Sequence, residues 1–491
     1  METESEGNNR DILRKIAFNA MKEHGLLTDF TQQVMDELSK IRPEDGVIPG
    51  IKDLTGLLWC SIDNDASLDL DQLTAAENTG DGVIKVYVAI ADVDHTAGKA
   101  SAIDLFASKN TLSVYTPAVI FPMLPERLST DLTSLNYNND RPAIIVEMGI
   151  SPDGTLTGSD VYQAKVRNKA KLAYNSTAAW LEGTGPMPDG IRRVTGLDEN
   201  IKLQDDAAQR LKGLRHAHGA LHLVTLQTRP LFRDEKITGL ELETPNRASD
   251  IIEDFMIASN GIAARFLEAK KSPSIRRVVR TPKKWDRLVA LAAEKNFKLP
   301  AIPDAKPLED FLMNQKKMFP ESFPDLSLSV IKLLGPGEYC LEIPGGSTEG
   351  HFGLAVRDYS HSTAPNRRYP DLITQRLLKA AISGMPVPYS AQELEDLAKH
   401  CTEKENDAKK VERSLDKSAA ALLLSGMIGR EFDALVTGAS DKGTYVRIFD
   451  PPVEGRLGPG LMGLEVGHKV MVILVSTNVE RGFIDFKLKI Q

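Results

Sequence analysis

The chain has 491 residues, 42% of them hydrophobic, and a formal net charge of −8. It is long enough for several domains with sizeable cores. No apolar run approaches the roughly 20 residues of a membrane span, and the polar, acidic start METESEGNNRD is not a secretory signal.

Cys60, Cys340 and Cys401 lie far apart without C-x-x-C pairing. That suits a reducing cytoplasm and argues against structural zinc. The expectation is a soluble, cytoplasmic monomer with no membrane partner. Its negative charge counts at first against nucleic acid, so the local distribution of charge carries more weight.

Residues 10–41 read as two short helices. Ile12, Leu13, Ile16, Ala17, Ala20 and Met21 recur at helical spacing, and Gly25 ends the run. Asp29 is a candidate N-cap for a second helix carrying Val34, Leu38 and Ile41. The pair reads as a small packing module. A helix-turn-helix is the alternative, weakened by the few basic residues on the second helix. Residues 43–50 (PEDGVIPG) read as a linker.

From about residue 51 the pattern becomes mixed α and β. The stretch SIDNDASLDLDQ (61–72) crowds Asp63, Asp65, Asp69 and Asp71 together. Carboxylates repel, so such a cluster opposes folding unless something positive sits among them. Mg²⁺ or Mn²⁺ shared between carboxylates and a phosphate is one answer, and it points to phosphodiester chemistry. A solvated acidic loop is the other. A calcium-binding loop is excluded, because its sixth and twelfth positions would be Leu68 and Thr74.

Residues 83–93 (VIKVYVAIADV) follow a turn and read as a buried strand. Lys165, Arg167, Lys169 and Lys171 alternate and would share one face of a strand. His216, His218 and His222 have a superficially metal-like spacing but fall at a helix end, where they read as structural or solvent-facing. Residues 251–268 read as a helix. Arg276, Arg277, Arg280, Lys283 and Lys284 fall within nine residues, either to hold phosphates or as a solvated face.

Residues 335–350 read as a loop, 372–382 as an amphipathic helix, and 392–425 as one or two long charged helices. The tail carries five short strands in about 65 residues, which suggests a small OB-type barrel. Tyr445, Arg447 and Phe449 alternate along one of them. On an exposed face they would stack bases and contact phosphate; the two aromatics could equally be core.

At this point SIDNDASLDLDQ resembles the metal-binding motif of the ribonuclease II/ribonuclease R family of RNB-domain exoribonucleases. That motif is an Asp, five residues, Asp, one residue, then Asp-Asp. Asp63, Asp69 and Asp71 match its first three carboxylates. Residues 88–136, KAKLAY (169–174) and DFMIASNGIAARFL (254–267) follow in the family's order. Residues 351–382 carry the PIR-K/R-Y-x-D signature as PNRRYPD. The tail resembles an S1-type RNA-binding domain, with GTYVR for the usual G-x-F-V.

The resemblance covers roughly residues 51–491. It implies an α+β multidomain protein: a helical N-terminal module (1–50), an RNB catalytic fold with trailing helices (51–427) and an S1-type OB-fold β-barrel (428–491). It implies a metal-dependent 3′→5′ exoribonuclease that hydrolyses single-stranded RNA to nucleoside 5′-monophosphates with Mg²⁺ or Mn²⁺. Asp63, Asp69 and Asp71 become metal ligands or catalytic carboxylates, and Arg367 the arginine against the scissile phosphate. Tyr115 and Tyr174 become clamps on the 3′-terminal nucleotides, and Arg368, Tyr445, Arg447 and Phe449 further RNA contacts. A third aromatic clamp position falls near Leu223, which cannot stack.

Two departures matter. The fourth motif carboxylate is Gln72, whose amide oxygen can ligate a metal but carries no charge; Asp65 could compensate. Only about 50 residues precede the catalytic body, where the family usually carries paired cold-shock domains, so the resemblance is to a short subgroup. The rival reading is an RNB-fold RNA-binding protein weakened or inactivated by Gln72. An oligonucleotide-binding module acting in protein assembly is a more remote one.

Overall fold

The computed structural model describes residues 8–42, 50–346, 350–440, 443–458, 464 and 466–489. Most of the expected 43–50 linker lies outside the described residues.

Among the described residues, the large central body of the chain is built on one seven-stranded sheet. Its order is Lys52–Asp53, Leu156–Arg167, Asp140–Ile150, Ile84–Ala91, Gln72–Asn78, Cys60–Asp63, Ala170–Ala173. The two outermost pairings are parallel and the inner ones antiparallel. Ile84–Ala91 is buried almost throughout, as expected for a β-branched run inside a sheet covered on both faces. Helices Leu197–Ala217 and Arg247–Ala269 pack on this sheet, and Trp59, Val86, Ile145, Phe255 and Leu372 share its core.

Residues 372–382 do form a helix, Tyr369–Ser383, but it is not amphipathic. Tyr369 through Leu378 are all buried. Its polar residues are held internally: Gln375 Nε2 donates to Ala91 O (2.7 Å), and Arg376 Nε donates to Asp94 (2.7 Å). Pairing of this kind is what lets polar side chains enter a core.

Three other local readings change. Thr31, not Asp29, caps the second helix, Gln32–Leu38, by accepting from Val34 N; the Asp29 carboxylate takes the Thr28 hydroxyl instead. The stretch 335–350 contains a strand, Glu338–Glu342, paired antiparallel with Ser274–Val278. Lys165 and Lys171 sit on different strands, so the four alternating cations do not share a face. The two N-terminal helices also lack a core of their own. Ala17 and Met21 pack against the long helix Ala391–Leu424, while Val34 and Leu38 join the main core.

That 34-residue helix is the spine of the molecule. It opens on a capping box between Ser390 and Glu393 and runs for about 50 Å at 1.5 Å per residue. It packs against the N-terminal helix Asn9–Glu23, the strand Glu338–Glu342, the exposed hairpin Gln227–Arg233/Lys236–Glu243 and the C-terminal barrel. Among the described residues the barrel is five-stranded and closed, as the tail pattern predicts. Its order is Glu431–Ser440, Gly443–Ile448, Val453–Leu457, Phe483–Leu488, Lys469–Asn478. Val436, Val446, Leu474 and Phe486 fill it, and Ala420, Ala421 and Leu424 of the long helix close one end.

Gly482 sets how closely barrel and spine approach. It sits at φ +63°, and a Cβ there would lie 2.6 Å from Lys417 Cβ and 3.1 Å from Lys417 C. Gly482→Ala must strain the turn and push the barrel off the helix. We expect a loss of about 1–3 kcal/mol, read as a lower urea midpoint; an unchanged midpoint would mean the contact is loose.

Candidate active site

The acidic stretch joins the end of the strand Cys60–Asp63 to the start of Gln72–Asn78. Local hydrogen bonds give the loop its shape. Ser67 N donates to Asn64 O (3.0 Å) and Ser67 Oγ to Asp69 Oδ1 (3.3 Å). Lys171, expected in a basic face, instead buttresses this loop: its Nζ donates to Ser67 O (2.6 Å). Asp65 is exposed at the loop's tip.

Facing it is the loop 364–368, which leads into Tyr369–Ser383. Asp371, in the first turn of that helix and fully buried, accepts the Ala364 N–H (2.9 Å) and Arg368 Nη2 (2.8 Å). Arg368, expected among the RNA contacts, is instead paired with Asp371. Arg367 turns the other way. Its Nε lies 3.3 Å from Asp71 Oδ2, and Asn366 N donates to Asp71 Oδ1 (3.0 Å).

Asp71 is 2% exposed. Burial pushes its carboxyl up to about 7, against the opposing pull of the Arg367 guanidinium and the Asn366 N–H. Asp63 is also raised, first by burial, with Asp69 adding repulsion and Asn64 N–H and Arg367 opposing. Asp69 acts on both neighbours and accepts the Tyr115 hydroxyl at 3.2 Å. Tyr115 is 40% exposed, and its backbone N–H is held by Glu412 of the spine (3.0 Å). Tyr174 opens the helix Tyr174–Leu181 and is half-buried beside Asp63 and Arg367, whose charges act on its hydroxyl. Five motif side chains (Asp63, Asp69, Asp71, Tyr115 and Arg367) thus meet, with Tyr174 at their edge.

Gln72 begins the strand Gln72–Asn78, half-buried and next to this group. Among the described residues no three His, Cys, Asp or Glu side chains converge closely enough to hold a metal by themselves. The donor set is still a hard-cation set: oxygen ligands crowded together, with Asp69 repelling both Asp63 and Asp71. Mg²⁺ typically takes only one or two carboxylates and completes its shell with phosphate and water, and these residues fit that mode.

Other candidates fall elsewhere. Leu223 packs with the helical cluster around Trp285 and Phe311. His216 Nδ1 sits on Ala220 O (2.9 Å) and Glu309 (3.1 Å), and His222 on Lys316, consistent with a structural role. The 276–284 cluster is split: Arg276 and Arg277 are buried, and Arg277 forms a two-pronged pair with Glu405 (2.6 and 2.8 Å), while Arg280, Lys283 and Lys284 are exposed. On the barrel, Tyr445 and Phe449 are exposed, but Arg447 is 9% exposed. It pairs with Asp325 (3.2 Å) of the helix Phe323–Leu334, so the expected cation on an open face is used to dock the barrel. Sequence reading missed Asn366, Asp371 and Lys171 as parts of the site. All three fall inside the motifs PNRRYPD and KAKLAY, but the motifs alone do not say which side chains hold the site together.

Comparison with known proteins identifies the family and the fold. The model of the RNB domain matches residues 51–384, and that of the RNase II-type exonuclease C-terminal S1 domain matches 430–489. Ribonuclease R of Aquifex aeolicus is 30% identical over 452 residues, covering 89% of this chain and 62% of that protein. Exoribonuclease 2 of Salmonella heidelberg is 32% identical over 410 residues, covering 81% and 61%. The chain thus spans about three fifths of the length of these relatives. Mycoplasma genitalium RNase R, solved with ribose-methylated single-stranded RNA, shares the fold at a TM-score of 0.86 with 22% identity, covering 98% of this chain and 78% of that one. Yeast Ssd1, described as a pseudonuclease, shares it at 0.72 with 16% identity, covering 94% and 58%.

The Arg447–Asp325 pair is nearly closed to solvent, so removing either partner strands a charge. Arg447→Ala and Asp325→Ala should each cost about 3 kcal/mol. The double variant should lose less than their sum. Urea denaturation of the four proteins measures this, and additive losses would mean the pair is not coupled.

Proposed function

The chain belongs to the RNB-domain family, and from that premise we propose that it hydrolyses single-stranded RNA from the 3′ end, releasing nucleoside 5′-monophosphates with the help of Mg²⁺ or Mn²⁺. The observation that carries the reading is the meeting of Asp71 with Arg367, 296 residues apart in sequence. What a protein that only binds RNA has no need of is the whole constellation, Asp63, Asp69 and Asp71 gathered beside a half-exposed Arg367.

Each side chain has a physical task. Asp63, Asp69 and Asp71, with the Gln72 amide oxygen, would hold the metal together with phosphate oxygens. The ion, when bound, supplies charge neutralisation and an activated water. Arg367 is 43% exposed and presents Nε to Asp71. A guanidinium has five donors, so others remain for the phosphate, where fixed charge stabilises the developing negative oxygen. Tyr115 and Tyr174 would stack on terminal bases, which gives grip without sequence choice. The Tyr115 hydroxyl also steadies Asp69. The exposed Tyr445 and Phe449 of the barrel would add stacking upstream. The three cysteines are free thiols, which supports a cytoplasmic setting.

Gln72 and the absence of a closed carboxylate cage among the described residues favour one rival, an RNA-binding protein without turnover. The deciding assay incubates purified protein with 5′-labelled RNA and Mg²⁺ or Mn²⁺. A ladder ending in a short product supports the enzyme; intact RNA retarded on a gel supports the binder.

Asp71→Asn should lower turnover by orders of magnitude and leave RNA affinity similar or slightly higher, since it removes a charge that acts in the chemistry rather than in binding. Near-normal turnover would remove Asp71 from the site. Gln72→Asp should lower the metal concentration needed for half-maximal cleavage, and Asp65→Asn should raise it if Asp65 compensates. Coincident metal titrations would place both residues away from the ion. Cleavage by Gln72→Asp alone, with the natural protein inert, would decide for the binder.

A further inference from the structure

The acidic loop and the arginine loop are far apart in sequence, yet their relative position sets the site. One short segment, Thr133–Ser134–Leu135, touches both. It follows the π-helical turn Arg127–Leu132, which closes with Thr133 N donating to Leu128 O (3.1 Å). Such turns are uncommon and are often found at functional sites.

On one side the segment grips the acidic loop around Asp69. Ser134 is 0% exposed. Its Oγ accepts the Leu70 N–H (3.0 Å) and donates to Leu68 O (2.9 Å). Leu135 N then donates to Leu70 O (3.0 Å). One hydroxyl thus touches the residues on either side of Asp69, and a backbone bond reinforces its hold on Leu70. On the other side the Thr133 hydroxyl is shared between Leu128 O (2.9 Å) and the side-chain amide oxygen of Asn366 (2.5 Å). Asn366 is 1% exposed, and its backbone N–H is the one that meets Asp71. The segment is itself anchored from below: Asn168, 0% exposed, donates to Leu135 O (2.9 Å) and Ser61 Oγ (3.1 Å). Arg141 Nε donates to Ser134 O (3.2 Å).

We propose that Thr133 and Ser134 are positioning residues that hold Asp69 and Asp71 in register with Arg367, acting as one clamp on both loops. Neither touches the expected position of substrate. Their effect runs through the two loops, and a fraction of an ångström of slack there is enough to reduce turnover. The inference rests on the proposed RNA hydrolysis for its kinetic readout only.

The test uses the full chain and three variants. Ser134→Ala removes the grip on Leu68 and Leu70. Thr133→Val keeps the shape and removes the hydroxyl. Thr133→Ser keeps the hydroxyl. Two quantities are measured: kcat and KM on single-stranded RNA, and amide hydrogen exchange at residues 68–71 and 364–368. We expect kcat to fall at least about ten-fold in Ser134→Ala and Thr133→Val with KM within two-fold of the natural protein, and Thr133→Ser to recover most of the loss. A loss of fold alone would lower the active fraction in every variant, without rescue by the serine. We also expect each of the two damaging variants to speed exchange at both loops, not only at the loop it touches. Unchanged kcat in both, or exchange changes confined to the adjacent loop, would overturn the clamp. Should the natural protein fail to cleave RNA, the hydrolysis reading falls and the two-loop exchange pattern alone decides the clamp. Should Ser134→Ala fail to fold, the Thr133 pair decides it.

Discussion

A carboxylate that is 2% exposed is costly to keep charged, and Asp71 is such a group. Its ionised form needs a cation and hydrogen-bond donors, and the chain brings both from the loop before Tyr369–Ser383: Arg367 Nε and Asn366 N. That one requirement fixes how the sheet and the buried helix are joined. Burial and donors act in opposite senses on Asp71, and burial prevails, leaving it near 7. A group so poised responds strongly to any nearby positive charge, whether an arginine that moves or an ion that arrives. The rest of the local architecture serves to keep the donors in place. Asp371 pins Ala364 and Arg368, Ser113 N donates to Arg367 O (3.0 Å), and Tyr369 N donates to Thr111 O (2.8 Å). The last two bonds also join the arginine loop to the segment that carries Tyr115, so stacking group and arginine share one frame.

Much of this could be read from the sequence, for identifiable reasons. The strand Ile84–Ala91 and the helix Arg247–Ala269 carry long, regular apolar patterns, and both are found. The barrel is legible because turn residues separate five short strands. The motif carboxylates and Arg367 are legible through the family resemblance; the spacing of the carboxylates alone leaves a solvated loop open. What failed was whatever depends on partners distant in sequence. Tyr369–Ser383 looks amphipathic because Gln375 and Arg376 are polar, and only the tertiary structure reveals Ala91 O and Asp94 as their partners. The strand Glu338–Glu342 is hidden among Gly and Pro residues and exists because Ser274–Val278 offers it an edge. Thr31 displaces Asp29 as a cap because the helix starts two residues later than the pattern suggests. Lys171 and Thr133 lie inside stretches that resemble the family, but their roles show only once the acidic and arginine loops surround them.

The basic residues teach the same lesson with a functional consequence. Read along the chain, Lys165 to Lys171 and Arg276 to Lys284 look like phosphate-binding surfaces. In the fold, Lys165 pairs with Asp53 (2.9 Å), Arg167 with Asp140 (2.5 Å), Arg277 with Glu405, and Arg447 with Asp325. Arg277 and Arg447 are also largely shielded from water. Each such pair neutralises a cation that would otherwise draw a polyanion. In a chain of net charge −8, whatever attraction these paired cations would have supplied to RNA on the proposed reading must then come from elsewhere. Short-range contact must take its place: exposed aromatic faces at Tyr115, Tyr445 and Phe449, one half-exposed arginine, and an ion at the carboxylates. Stacking is indifferent to sequence and far less sensitive to salt than counterion release. On the proposed reading, a molecule organised this way would hold its substrate where the chemistry is. The precision of the acidic and arginine loops therefore matters more to it than the sum of its charges.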